Sequence, residues 1–188
     1  MEILSTPNDF LRKKAQPVKK LDQKTIDQVK QMVKTLKAAT DPQGVGLAAT
    51  QVGIDKRIFI LLLQDQPHIF INPQIKEKSK QNFTDHYPDP QDHWLEGCLS
   101  IPKTWGFVDR PYQVTLDFQT FDLKDKDPKL TSKTQTYQDM ESAYVQHETD
   151  HLNGILFTDH IIKQGGTIYK ETDQGLVPVP SPQKPVYV

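Results

Sequence analysis

The chain has 188 residues, 25% of them charged, with a formal net charge of -1. That length suits one domain around one core, and the balanced charge leaves neither a global basic field for nucleic acid nor an acidic tail. Apolar runs such as Ile58–Leu63 are far too short to span a bilayer, and Met1 is not followed by a basic-then-apolar signal segment. The single cysteine, Cys98, excludes an intrachain disulfide and fits a reducing compartment. A soluble, unexported, cytoplasmic protein is expected.

In chain order, the first helix begins where Asp22 can cap it, with Leu21 and Ile26 at the two positions of a hydrophobic staple. Ile26, Val29, Val33 and Leu36 recur at helical spacing down to Ala39, and Asp41-Pro42 ends the helix. Residues 44–53 then read GVGLAATQVG. Two glycines and small apolar residues allow close backbone approach, but a phosphate cradle would need a third glycine or a Lys-Ser/Thr step. Gln51 carries the one polar side chain of substance in this stretch.

Residues 57–63 and 68–75 predict a hairpin across Gln64-Asp65-Gln66-Pro67. Residues 76–93 are polar, Pro-broken and without periodicity, which reads as a long surface loop. After WLEGCLSIP at 94–102, strands are expected at Phe107-Val108, 113–120 and 133–137. A second helix, capped near Asp139, stops before Gly154, an αL position. Its stripe of Met140, Ala143, Tyr144, His147 and His151 faces inward. Ile155-Leu156-Phe157 and 167–179 are predicted as short strands, and 165–188 as a loosely packed tail with an extended, Pro-rich end.

Chemistry concentrates in QHETDHLNG at 146–154. In H-E-x-x-H the two imidazoles stand one helical turn apart on one face and chelate a metal, while the adjacent Glu148 is placed as general base for water there. Two histidines leave a metal short of ligands, and Cys98 is the best further donor. A thiolate with two imidazoles suits zinc, iron or cobalt and leaves a coordination position open, the mark of a catalytic site. His160 fits the longer metalloprotease pattern poorly, because the third histidine of that pattern would fall at Phe157. His68, His86 and His93 read as solvated.

Three segments together, G-V-G-L-A-A-T-Q at 44–51, E-G-C-L-S at 96–100 and Q-H-E-T-D-H at 146–151, resemble in order and spacing the signature motifs of the peptide deformylase family. Leu11-Arg12 and Arg110-Pro111 extend the resemblance over roughly residues 4–162. It implies an α+β fold, one domain over 1–188, with antiparallel strands packed around a central metal-binding helix. It implies removal of the N-formyl group from N-formylmethionyl peptides, with one divalent ion, Fe(II) foremost and Zn(II), Co(II) or Ni(II) as alternatives, held by Cys98, His147 and His151. Glu148 would move the proton, and the Gln51 amide and Leu99 N–H would stabilise the oxyanion.

By the same resemblance, the peptide lies extended against Val45, Gly46 and Gly97, and its methionine enters a pocket of Val45, Trp94, Met140, Ala143 and Tyr144. Trp94 and Tyr144 are bulkier than the aliphatic or small residues often found there, so either a ring swings aside or selectivity is altered. Glu96 and Arg110 would pair in the interior and fix the cysteine loop. The implied partners are nascent peptides, met by a monomer, with at most a transient ribosome contact, since the tail lacks the long basic helix of some bacterial members. No nucleic acid or membrane is implied; the setting is bacterial-type cytoplasm, with an organelle left open. Competing readings are a zinc peptidase and a non-catalytic, metal-stabilised peptide-binding module, which would need neither Glu148 nor Gln51.

Overall fold

The computed structural model describes residues 1–40 and 43–179, so the expected helix stop at Asp41-Pro42 and the 180–188 end lie outside the described residues. Along the chain the elements are α1 (Gln23–Ala38), β1 (Gly46–Ala48), β2 (Ile58–Leu63), β3 (Gln66–Lys78), a short α2 (Phe83–His86), β4 (Glu96–Cys98), β5 (Ile101–Gly106), β6 (Gln113–Thr120), β7 (Thr131–Gln138), α3 (Asp139–His151), α4 (Phe157–Gln164), β8 (Ile168–Thr172) and β9 (Gly175–Val179). All described pairings are antiparallel, in two sheets ordered β1-β2-β3-β6-β7 and β4-β5-β8-β9.

Asp22 caps α1 as its chemistry predicts, its Oδ1 accepting from Thr25 N at 2.8 Å and Thr25 Oγ1 at 2.6 Å. The large sheet sorts its side chains by the period of two. Ile58, Ile60, Ile69 and Ile71 face α1, whereas Phe59, Leu61 and Phe70 turn to the other side with Val114, Leu116, Val145 and Leu152. The second side is where α3 lies, so the helix that carries the histidines is seated by burial worth roughly 1.5–3 kcal/mol for each large apolar side chain. Leu156, Phe157 and Ile161 close its far end against Ile101 and Ile168 of the small sheet. The expected α+β fold around that helix is observed.

Four local expectations need correction. The β2–β3 hairpin turns on two residues, not four: Gln64 and Asp65 take φ 50° and 62°, a pair of positive values that gives the twist a tight hairpin needs without any glycine. The strand expected at Phe107-Val108 lies at β5 instead, despite Pro102, and Phe107 stacks on His93 with ring centroids 4.1 Å apart. Ile155-Leu156-Phe157 is not a strand, because Asp159 Oδ2 accepts from Leu156 N at 2.9 Å and starts α4 there. The stretch 76–93 is not a plain surface loop: β3 continues to Lys78, α2 follows, and Phe83 is fully buried between Trp94 and Tyr112.

Two further features bear on the site. α3 has no side-chain cap at Gln138, and Asp139 instead has φ 56° and accepts from Tyr87 Oη at 2.8 Å. Gly154 has the expected left-handed φ of 73°, and a Cβ there would run into the backbone of Arg12. Residues 168–179 form a hairpin whose first strand pairs with β5, through Thr104↔Lys170 and Trp105↔Tyr169. Beyond Ile168 its side chains are mostly exposed, so backbone pairing ties it down more than burial does.

Candidate metal centre and catalytic cleft

The turn spacing of α3 places His147 and His151 with ring centroids 4.9 Å apart. β4 runs beside them and brings Cys98 into the gap, with Sγ 3.2 Å from His151 Nε2. One ligand atom from each of Cys98, His147 and His151 lies within 4.8 Å of the others. His147 Nδ1 is 2.9 Å from Glu96 Oε2, which leaves its Nε2 for the centre. His151 Nδ1 and Glu148 Oε2 are buried polar atoms with no hydrogen-bond partner. Burial raises the Cys98 thiol, but the charge of His151 and hydrogen bonds from both histidines outweigh it and bring it down to about 5. A soft thiolate and two imidazoles, already gathered and with His151 Nδ1 unpartnered, fit one borderline-soft divalent ion.

Around this centre the polar groups are held from behind. The expected ion pair is present: Arg110 Nε lies 2.5 Å from Glu96 Oε1, and Arg110 Nη1 reaches Asp150 Oδ2 at 2.8 Å. Burial alone would push Glu96 up, yet Arg110 and His147 hold it at about 2. His160 Nε2 is engaged with Asp150 Oδ2 at 2.9 Å, and Phe157 is buried apolar packing, so neither joins the ligand set. Glu148 is buried without a countercharge strong enough to compensate, and desolvation raises it to about 7.

Gln51 has its amide oriented by the backbone: Oε1 accepts from Ala48 N at 2.8 Å, which aims Nε2 at Cys98 Sγ (3.4 Å) and Ser100 Oγ (3.2 Å). Gly46 lies directly against the Glu148 carboxyl, where a Cβ would collide. A cavity of about 230 Å³ opens over these groups, lined by Val45, Gly46, Gly97, Leu99, Met140, Ala143 and Tyr144 among others. Trp94 lines it too, with its ring edge-on to Phe83 at 4.3 Å and 89°. The structure therefore brings together every site residue expected from sequence.

Trp105 and Leu95 also line the cavity and were not foreseen. No motif marks Trp105; its alternation within a strand interrupted by Pro102 was the only available signal. Of the histidines expected to be solvated, His68 and His86 are exposed, although His86 stacks on Tyr112 at 3.6 Å, while His93 is half-buried and bonds the Tyr87 carbonyl at 2.7 Å.

A thiolate and two imidazoles beside a carboxyl with one unpartnered oxygen and an aimed amide, in an apolar cleft, fit the centre of a metal-dependent hydrolase on an α+β scaffold. The model of the polypeptide deformylase family matches residues 1–166. The chain is 37% identical over 162 residues to a peptide deformylase of Borreliella burgdorferi, covering 85% of this chain and 87% of the relative. It is 36% identical over 165 residues to one of Hamiltonella defensa, covering 86% and 84%. A Synechococcus elongatus peptide deformylase solved in complex with actinonin superposes with a TM-score of 0.70 at 28% identity, over 95% of this chain and 90% of that one. The chain belongs to the polypeptide deformylase family.

Proposed function

We propose that this chain removes the formyl group from N-formylmethionyl ends of new polypeptides, releasing formate and a free amine. The observation that carries the reading is the meeting, in one cleft, of the Cys98, His147 and His151 ligand atoms with the Glu148 carboxyl, whose Oε2 is buried without a partner, and the aimed Gln51 amide. Those three ligands would hold one divalent ion, Fe(II) by resemblance, with Zn(II), Co(II) or Ni(II) acceptable to the same donors. When bound, the ion would supply Lewis-acid charge for the formyl carbonyl and for the attacking water.

The chain's own groups perform the remaining work. Glu148, uncompensated in its buried position, takes the proton of the attacking water and returns it to the departing amine nitrogen, so the proton ends on the new N-terminus. As the formyl carbon becomes tetrahedral, Gln51 Nε2 and the Leu99 N–H donate to the developing oxyanion, a contribution of about 3 kcal/mol per donor. Val45, Gly46 and Gly97 leave room for an extended peptide backbone to pair alongside. The methionine side chain fills the apolar cavity bounded by Val45, Trp94, Met140, Ala143 and Tyr144. Glu96 holds His147 and is held by Arg110.

We further infer a single catalytic domain over 1–188, acting as a monomer because one chain supplies every site residue, in a cytoplasm where proteins start with formylmethionine. No helix among the described residues is long and apolar enough to cross a membrane. The test is formate release from a short N-formylmethionyl peptide by anaerobically prepared protein loaded with Fe(II), Co(II) or Zn(II), beside Glu148→Ala. Release that the substitution abolishes while metal content is kept supports the reading. A fully loaded protein that releases no formate with any of the ions overturns it.

A further inference from the structure

Ser100 falls between β4 and β5 and is fully buried. A buried hydroxyl needs a partner, and this one meets the Gln51 amide, whose Nε2 donates to Ser100 Oγ at 3.2 Å. Since Gln51 Oε1 accepts from Ala48 N at 2.8 Å, the two ends of the amide are assigned, and it is the nitrogen that faces Ser100 and Cys98. Of the two hydrogens on that nitrogen, Ser100 Oγ takes one and the other is left on the side of Cys98 Sγ, 3.4 Å away. The backbones of the same two residues are braced as a pair: Leu4 N donates to Gln51 O at 2.8 Å and Thr6 N to Ser100 O at 2.9 Å. Two amides from one short N-terminal stretch thus hold both carbonyls in place, which fixes how far the hydroxyl stands from the side chain it meets.

Resting on the deformylase reading, we propose that Ser100 is a positioning residue for the oxyanion donor: its Oγ occupies one hydrogen of the Gln51 amide and so keeps the other aimed at the formyl oxygen. Without that acceptor the amide would be anchored at Oε1 alone and would swing about its terminal torsion, which is broad in glutamine. One buried N–H would also lose its partner, at the cost of an unmade hydrogen bond, and the amide would turn to whatever acceptor the cleft offers. Among the described residues that line the cavity, Gln51 and Leu99 are present and Ser100 is not. The serine therefore acts through Gln51 and not on the peptide.

The test measures kcat, KM, metal content and urea unfolding for the full metal-loaded chain as wild type, Ser100→Ala, Gln51→Leu and the double variant. Ser100→Ala deletes one oxygen and introduces no clash, so it should fold and keep its metal. Its kcat on a short formylmethionyl peptide should fall about 10- to 100-fold, as for a reacting group that is misplaced but still present, with KM within about twofold of wild type. In the Gln51→Leu background the same substitution should cost no more than about twofold further, because the amide it positions is gone. A residue that serves only the fold would instead lower both backgrounds by the same factor. An unchanged kcat in Ser100→Ala, a change confined to KM, or equal losses in the two backgrounds overturns the positioning role while leaving the deformylase reading intact. No formate from the loaded wild-type chain overturns the deformylase reading and this role with it.

Discussion

His147 Nδ1 lies 2.9 Å from Glu96 Oε2, and Glu96 offers its other oxygen to the Arg110 guanidinium. A histidine of the candidate metal centre is thereby tied to a buried ion pair that Asp150 extends. Glu96→Ala would free the His147 ring and leave Arg110 buried without its main partner. Breaking one side of such a pair costs about 3–5 kcal/mol, and removing the group that orients a ligating histidine weakens metal affinity roughly 10- to 100-fold. Urea unfolding together with metal titration should show both losses; a loss of stability with unchanged affinity would mean that Glu96 serves only the fold.

Gln51 tests the oxyanion assignment separately from binding. Gln51→Leu keeps the buried volume and removes the donor near Cys98. It should lower kcat roughly 100- to 1,000-fold with little change in KM. A change confined to KM would show that the amide binds ground-state substrate instead.

Gly46 has a different constraint, since any side chain there meets the Glu148 carboxyl. Gly46→Ala should displace that carboxyl. A shift of about 1 Å in a reacting group can cost on the order of 100-fold in rate. The check is kcat beside a thermal melt, with activity falling far more than stability.

Much of this molecule was legible because chemistry restricts the residues that perform it. Two histidines a turn apart, the cysteine beside a glycine and the lone polar Gln51 admit few alternatives, and the structure brings them into one cleft. Legibility failed where a side chain's partner is distant. Phe83 is one aromatic in a polar stretch and gains meaning only from Trp94 and Tyr112. The α4 start was hidden because Leu156 brings no capping side chain of its own and Asp159 reaches back to its N–H. Gln64-Asp65 carries no glycine, so the turn's positive φ values come from the strands it joins, not from its own preference.

Asp22 gives a prediction for stability against pH. Its pKa is lowered by the hydrogen bonds from the Thr25 side chain and then the Thr25 backbone. A carboxylate depressed on folding stabilises above its unfolded pKa of 3.8 and loses that contribution as pH falls through the lower folded value. Wild type should therefore unfold at higher urea than Asp22→Ala at neutral pH, with the difference constant down to about pH 5 and shrinking as the carboxylate protonates below about pH 4. A difference independent of pH would assign the cap's effect to shape, not charge.

Phe83 joins the α2 stretch to the cleft. Its ring meets Trp94 edge-on at 4.3 Å and Tyr112 at 5.7 Å, and Trp94 lines the cavity proposed for the first side chain of the peptide. Phe83→Ala removes a fully buried ring, a change that costs about 3–5 kcal/mol. The same vacancy gives the Trp94 indole somewhere to move, which widens the cavity at that wall. Urea unfolding should report the destabilisation. At a temperature where the variant remains folded, KM for formylmethionyl peptides should rise relative to that for peptides with a bulkier first residue. Loss of stability with an unchanged KM ratio would show that Trp94 is held by its other neighbours, Tyr87 among them at 6.0 Å, and that the α2 stretch supports the fold without shaping the pocket.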